Sequence, residues 1–260
     1  MKKNYYFFAT ALPPIRLGEP VDISVYDFKY FAQINLLKAD FEKIQTLLFV
    51  FDIDNIRALW RGEDLSSISC IAPDFLDEAL ASGLMLPDYV LSYLDHYTDK
   101  EDRLRYFSKL YHDYYAEESK RATGFLKEYL ELERSMRLTF SALRAKDLDL
   151  DIVEELQFED PDDPLVASIL SQKSAASFDP PDEMKPIKAI YEEHKKDSYA
   201  LYQAIMEWRY ERVEKMVGID QFSIDRILCY LIQLVSCIKW LELDEKKGLD
   251  MFDAIVRKAI

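Results

Sequence analysis

With 260 residues, a net charge of −15 and a pI near 4.7, the chain is a poor match for the phosphate backbone of a nucleic acid, which excludes nucleic acid as a general partner. Hydrophobic residues at 49% beside charged residues at 31% describe a globular protein and exclude an intrinsically disordered one. Only six glycines occur, too few for many tight hairpins, phosphate-cradling loops or doubly wound α/β turns, so the composition favours helices.

The chain opens MKKNYYFFATALPP, whose lysines and apolar patch superficially resemble a signal peptide. The patch is short, aromatic and stopped by Pro13-Pro14, and the expected location is the cytoplasm. Within it, residues 5–9 (YYFFA) predict a short strand or extended segment. Asp22 and Ser24 can cap a helix over Val25–Leu36, and Asp40 a second helix running to Gly62. Pro73-Asp74 opens a short helix closed by Gly83, and Pro87-Asp88 starts the next.

From Lys100 to Lys146 the pattern is helical almost without pause. Tyr106, Phe107, Tyr111, Tyr114 and Tyr115 recur at helical spacing and predict a packing face. Residues 147–186 then read as an acidic, proline-rich connector with one helix, Leu165–Gln172. Nine acidic and no basic residues fall in 147–163, so much of the chain's acidity is one local feature. A long helix is expected over Lys188–Val217 and another from Ser223 to Leu243. A last one, Asp244–Lys258, is expected to pack on the bundle rather than lie in a lipid headgroup layer. The fold class is therefore all-α, a multi-helix bundle divided as 1–146, 147–186 and 187–260.

The most apolar run, Ile227–Ile238, is too short to span a bilayer. Cys70, Cys229 and Cys237 lack C-x-x-C spacing and fit buried thiols in a reducing compartment better than a disulfide frame or a zinc site.

One stretch invites a catalytic reading. In LLFVFDID an apolar run meets Asp52-Ile53-Asp54, as in the first motif of haloacid-dehalogenase-type phosphatases, where a strand delivers a nucleophilic and an acid aspartate. The spacing argues otherwise: Phe41, Ile44, Leu48, Phe51, Asn55, Leu59 and Gly62 form one helical stripe. A magnesium-dependent phosphatase using Asp52 and Asp54 is thus the disfavoured alternative. Asn55 on the apolar stripe needs a partner, expected from another helix, and Asp54 can pair with Arg57.

The helix end LWRGEDL (59–65) is echoed by ALRAKDL (142–148), with Arg57 and Arg137 upstream of each. Asp52, Asn55, Arg57, Arg61, Arg137 and Arg144 are accordingly the candidate polar cluster. Elsewhere the chemistry-bearing patterns are missing. His96, His112 and His194 have no Glu three residues before them, and neither a G-x-S-x-G elbow nor a phosphate-binding loop occurs. No catalytic residue, metal or cofactor is expected.

FDIDNIRALWRGEDL resembles the Asp-x-x-Asn-Ile/Leu-Arg-x-x-Leu-Arg helix that recurs in one rotor component of V-type and archaeal-type ATP synthases, the component lettered C there and d in the eukaryotic enzyme. The stretches YYFFATALPP, ERSMRLTFSALRAKDLDLD and FSIDRILCYLIQLVSCIKWLELDEKKGLDMF resemble a bacterial family of unassigned function associated with V-type ATP synthases. The resemblance implies a funnel-like body of pseudo-repeated helical bundles. Such a body would sit between the membrane rotor ring and the central stalk, coupling proton or sodium transport without chemistry of its own. Its partners would be the other components of the V-type ATP synthase, and it would reach the membrane only through them.

There are departures from that rotor component. Two repeat units are visible rather than three, and Trp60 stands where an aliphatic residue is expected. Within the acidic block, Asp160, Asp162 and Asp163 are candidate contacts for a basic partner. The alternative is a helical adaptor unrelated to any ATP synthase.

Overall fold

The computed structural model describes residues 4–259, with side chains as far as Leu243. Every regular element among them is helical. In chain order these are α1 (Tyr6–Ala11), α2 (Val25–Asn35), α3 (Lys38–Arg61), α4 (Leu76–Ser82), α5 (Asp88–His96) and α6 (Lys100–Arg105). There follow α7 (Ser108–Arg121), α8 (Phe125–Leu148), α9 (Ile152–Glu155) and α10 (Pro164–Ser171). The last are α11 (Lys185–His194), α12 (Ser198–Met216) and α13 (Ile224–Ala259). Short 3-10 turns precede α4 and α11. No described helix is long and apolar enough to cross a membrane.

The all-α expectation holds, and it holds at FDID: Asp52 and Asp54 lie in the middle of α3, whose buried side includes Ile44, Leu48, Ile53 and Ile56. Local chemistry sets several ends. Ser24 Oγ accepts from the Asp27 N–H to start α2, and Gly62, at φ 73°, follows α3 in a left-handed conformation that side chains resist.

The chain forms two units, residues 1–41 with 193–260, and residues 42–192. In the first, α12 and α13 pack as a helical pair and α2 lies on α13. Phe28 of α2 is fully buried, its ring 5.7 Å from Phe8 and 5.8 Å from Tyr230. Burying such a ring contributes roughly 1.5–3 kcal/mol. The Tyr230 hydroxyl donates to the Pro13 carbonyl at 2.8 Å and that of Tyr210 to Ile15 at 3.1 Å, which fixes the proline loop against the pair.

In the second unit α8 is the central element, packed by α7, α9 and α10, with α5 on α7. The expected aromatic packing face is there: Phe107, Tyr114 and Tyr115 are buried, and Tyr106 stacks on Tyr97 at 5.2 Å. Residues 147–186 belong to this unit, with Ile152, Leu156, Val166, Ile169 and Phe178 buried.

Several boundaries differ from expectation. Residues 6–11 are helical and not extended. Tyr5 and Phe8, three apart, are both buried while Phe7 is 74% exposed, a division that strand alternation cannot produce. The expected run from Lys100 to Lys146 is three helices, with Gly124 at φ 59° before α8. The expected 188–217 helix is two, because Asp197 Oδ1 accepts from the Tyr199 and Ala200 N–H groups at 3.0 Å and starts α12 afresh. The connector carries α9 as well as α10. Conversely α13 continues through the expected break at residue 244, and the packing expected of the side chains of 244–260 lies outside the described residues.

Candidate functional site

The FDIDN residues fasten a loop. Asp52 is fully buried, and its two carboxylate oxygens accept the backbone N–H groups of Cys70 (2.8 Å) and Ile71 (2.9 Å). One turn on, Asn55 Nδ2 donates to the Ser66 carbonyl at 2.9 Å while Asn55 Oδ1 accepts from the Ser66 N–H at 2.8 Å. The partner of Asn55 is therefore loop backbone, where the sequence led to the expectation of another helix. An asparagine side chain presents one donor and one acceptor side by side, which matches the N–H and C=O of a single residue. Together these bonds satisfy four backbone groups of a segment with no regular structure of its own. Neither aspartate has the strand-end setting of a phosphatase nucleophile.

The second cluster is a polar network joining α3, α7, α8 and the segment before α10. Asp54 accepts from the Tyr111 hydroxyl, and Arg57 Nη2 lies 3.7 Å from Asp54 Oδ1, the pair expected from sequence. The Arg57 guanidinium sits 5.5 Å from the Phe107 ring and 5.8 Å from the Tyr111 ring, and that of Arg137 sits 4.8 Å from Tyr111. Tyr111 thus draws two cations to one aromatic ring.

From Arg137 the network passes to Glu159 (3.6 Å), whose side chain is only 4% exposed. Arg134 bonds the same carboxylate at 2.8 Å and reaches Asp163 at 2.9 Å with its other terminal nitrogen. His112 Nδ1 lies 3.2 Å from Glu159. Burial pushes the Glu159 carboxyl up, but the close approach of His112 and the bond from Arg134 outweigh it and hold the pKa at about 2. Burial likewise works against the Arg134 cation, and Glu159 and Asp163 more than offset it, leaving its pKa raised. Arg134 and Arg137 reach one carboxylate because they are three apart on α8.

Of the sequence-derived cluster, Asp52 and Asn55 act together at the loop, and Arg57 and Arg137 meet across Tyr111. Arg61 is apart from both, exposed and 3.8 Å from Glu63, and Arg144 is exposed on α8. Asp160 and Asp162 are exposed, as a partner contact requires, but Asp163 faces inward. Besides holding Arg134 it accepts from the Leu165 and Val166 N–H groups to start α10.

Sequence reasoning missed Glu159 and Arg134, and read Tyr111 only as part of an aromatic packing face. The signal for Glu159 was the basic pair Arg134 and Arg137, three apart on α8 and next to the buried Leu130 and Leu138, which an acid can join. It also missed the outer face of α2. Tyr26 (71% exposed), Tyr30 (56%) and Ile34 (62%) recur every fourth residue and leave an apolar row in water. Phe31 and Leu37 are exposed as well, and so is Phe7 of α1, which packs beside α2. Val25, Phe28 and Ala32 fill the opposite, buried side, so α2 is apolar on both faces.

Within the same unit a cavity of about 560 Å³ lies between the proline loop and α12 and α13, where Glu214 accepts from Arg226 at 2.7 Å and Gln233 at 3.2 Å. Among the described residues no group of three or more His, Cys, Asp or Glu side chains is placed to hold a metal ion.

The family described as "Protein of unknown function (DUF2764)" matches residues 1–259. The chain belongs to the DUF2764 family. It is similar over its length to an uncharacterised protein of Chlamydia muridarum, at 22% identity over 256 residues and 96% of each chain. A second uncharacterised protein, from Chlamydia trachomatis serovar D, is 23% identical over 252 residues, covering 94% of this chain and 95% of its own. A third, from Chlamydia pneumoniae, is 23% identical over 262 residues and 98% of each. No solved structure matches the chain. Neither the DUF2764 description nor these relatives' names mention an ATP synthase, so that likeness rests on the quoted motifs.

Proposed function

We propose that this DUF2764 protein is a non-catalytic helical interaction protein, working as an accessory or stalk component of a V-type ATP synthase and held at the membrane through its partners. The observation that carries the interaction role is the exposed face of α2. A row of Tyr26, Tyr30 and Ile34, extended by Phe31, Leu37 and Phe7, is far more apolar than an isolated surface side chain and is rich in the residues that anchor interfaces. Keeping it in water has a cost that a docked partner would remove.

The choice of complex comes from the motif resemblance. A coupling element must transmit torque, which suits a body whose loops are fastened to helices, as 66–71 is to α3 by Asp52 and Asn55. The motif's polar residues then serve as fasteners, which favours the non-catalytic reading.

The test is affinity capture of the tagged full-length protein from its native cells, with mass spectrometry of the co-purifying chains. V-type stalk and rotor-ring proteins should be recovered with the wild type and lost with a Tyr30→Ser/Ile34→Ser variant. Recovery of an unrelated, α2-dependent partner would replace the synthase by an adaptor role. Recovery of the protein alone, with the synthase intact in the same lysate, would defeat the proposal.

A further inference from the structure

The end of α8 and the turn that follows present a second apolar face, in the other unit from α2. Asp149 adopts a left-handed conformation (φ 53°, ψ 41°), and the Leu150 N–H returns to the Ala145 carbonyl at 2.9 Å, closing the helix. The turn leaves Leu148 58% exposed and Leu150 46% exposed, and Val153 on α9 is 49% exposed. The segment is nonetheless anchored. Ile152 and Leu156 are buried, α9 packs on α8, and Asp151 accepts from the Val153 N–H at 2.8 Å. The exposure of these three side chains is therefore a feature of a fixed surface.

Charge indicates what can cover it. Asp149, Asp151 and Glu154 are exposed among the three apolar residues, and no basic residue occurs in 147–163. The nearest lysine in the chain, Lys146, turns its ammonium to the carbonyls of Gln172 (2.9 Å), Lys173 (2.6 Å) and Ala175 (2.8 Å). Arg144, exposed one turn before Leu148, is a cation beside this corner, but Asp149, Asp151 and Glu154 outnumber it, so the local balance disfavours an anionic lipid surface or a nucleic acid. We propose that this corner docks a basic amphipathic helix of a protein partner, whose apolar row covers Leu148, Leu150 and Val153 while flanking Lys or Arg side chains meet the carboxylates. The proposal needs no particular complex and makes no use of α2.

A fluorescein-labelled peptide of leucine and lysine, with leucines at helical spacing, serves as the probe, titrated with the full-length protein by fluorescence anisotropy. Binding should weaken as salt is raised. The L148S/L150S/V153S variant should bind about tenfold more weakly or worse while its thermal melt is unchanged, since all three side chains are exposed. The D149N/D151N/E154Q variant, whose asparagines keep the left-handed turn and the helix cap, should bind more weakly and with a flatter salt dependence. A control carrying Asp77→Asn, Glu78→Gln and Asp88→Asn, the same charge change on other acids of the unit, should bind as wild type. Absence of wild-type binding, equal loss in the control, or full binding by the apolar variant would each overturn the proposal. The last two would reduce it to diffuse attraction by an acidic protein. Loss of α2-dependent partners in the capture experiment would not affect these outcomes.

Discussion

Glu159 is the position where the structure makes its most quantitative demand. A carboxyl whose ordinary pKa of 4.5 falls to about 2 on folding favours the native state by about 3 kcal/mol at neutral pH. Because the folded pKa is depressed, that stabilisation is complete above the unfolded value and is lost as pH falls from about 4.5 towards 2.

Glu159→Gln keeps the size of the side chain and removes the charge. Arg134 and Arg137 then share a site whose anion has gone, and one end of the new amide directs N–H groups at a cation. Breaking a buried pair by removing one partner costs about 3–5 kcal/mol. The loss should fall at or just below the low end, because Arg134 retains Asp163 at 2.9 Å and its own side chain is 21% exposed. Urea denaturation at neutral pH should therefore show Glu159→Gln less stable by about 2–3 kcal/mol. Repeated at falling pH, the gap between wild type and variant should close as the native carboxyl protonates. A gap under about 0.5 kcal/mol at neutral pH, or one that stays constant on acidification, would refute the assignment of Glu159 as the anionic centre of this network.

Other substitutions test other parts of the architecture. Asp52→Asn places an NH2 group against one of the two loop N–H donors, and should cost about 1–3 kcal/mol in the same denaturation assay with faster amide exchange at Cys70 or Ile71. Asp197→Ala removes both bonds that start α12 and should cost about 0.5–2 kcal/mol, with exchange protection lost first at Tyr199 and Ala200. Tyr30→Ser/Ile34→Ser alters exposed side chains, so its stability should stay within about 0.5 kcal/mol of wild type while partner capture is lost. A large fall in melting temperature would instead mean that this row is part of the core.

What the sequence by itself determined was the class of structure and the nature of its most suggestive motif. The stripe at spacings of three and four from Phe41 to Gly62 fits a helix and not a strand, which makes FDID legible as helical from the sequence alone. Ser24, Gly62 and Gly83 mark ends because capping is chemistry between residues close in the chain. The tertiary structure decided what depends on distant groups. Tyr6 to Ala11 turn into a helix because Tyr5 and Phe8 find burial together, with the Tyr5 N–H bonded to the Phe222 carbonyl at 2.8 Å. Nine similar carboxylates occupy 147–163, and nothing local separates Glu159 from Asp160. One is buried and ionised because α8 brings Arg134 and Arg137 to it, and its neighbour stays in water. Likewise α2 reads as apolar throughout, and only packing shows which face the chain fills for itself and which it leaves open.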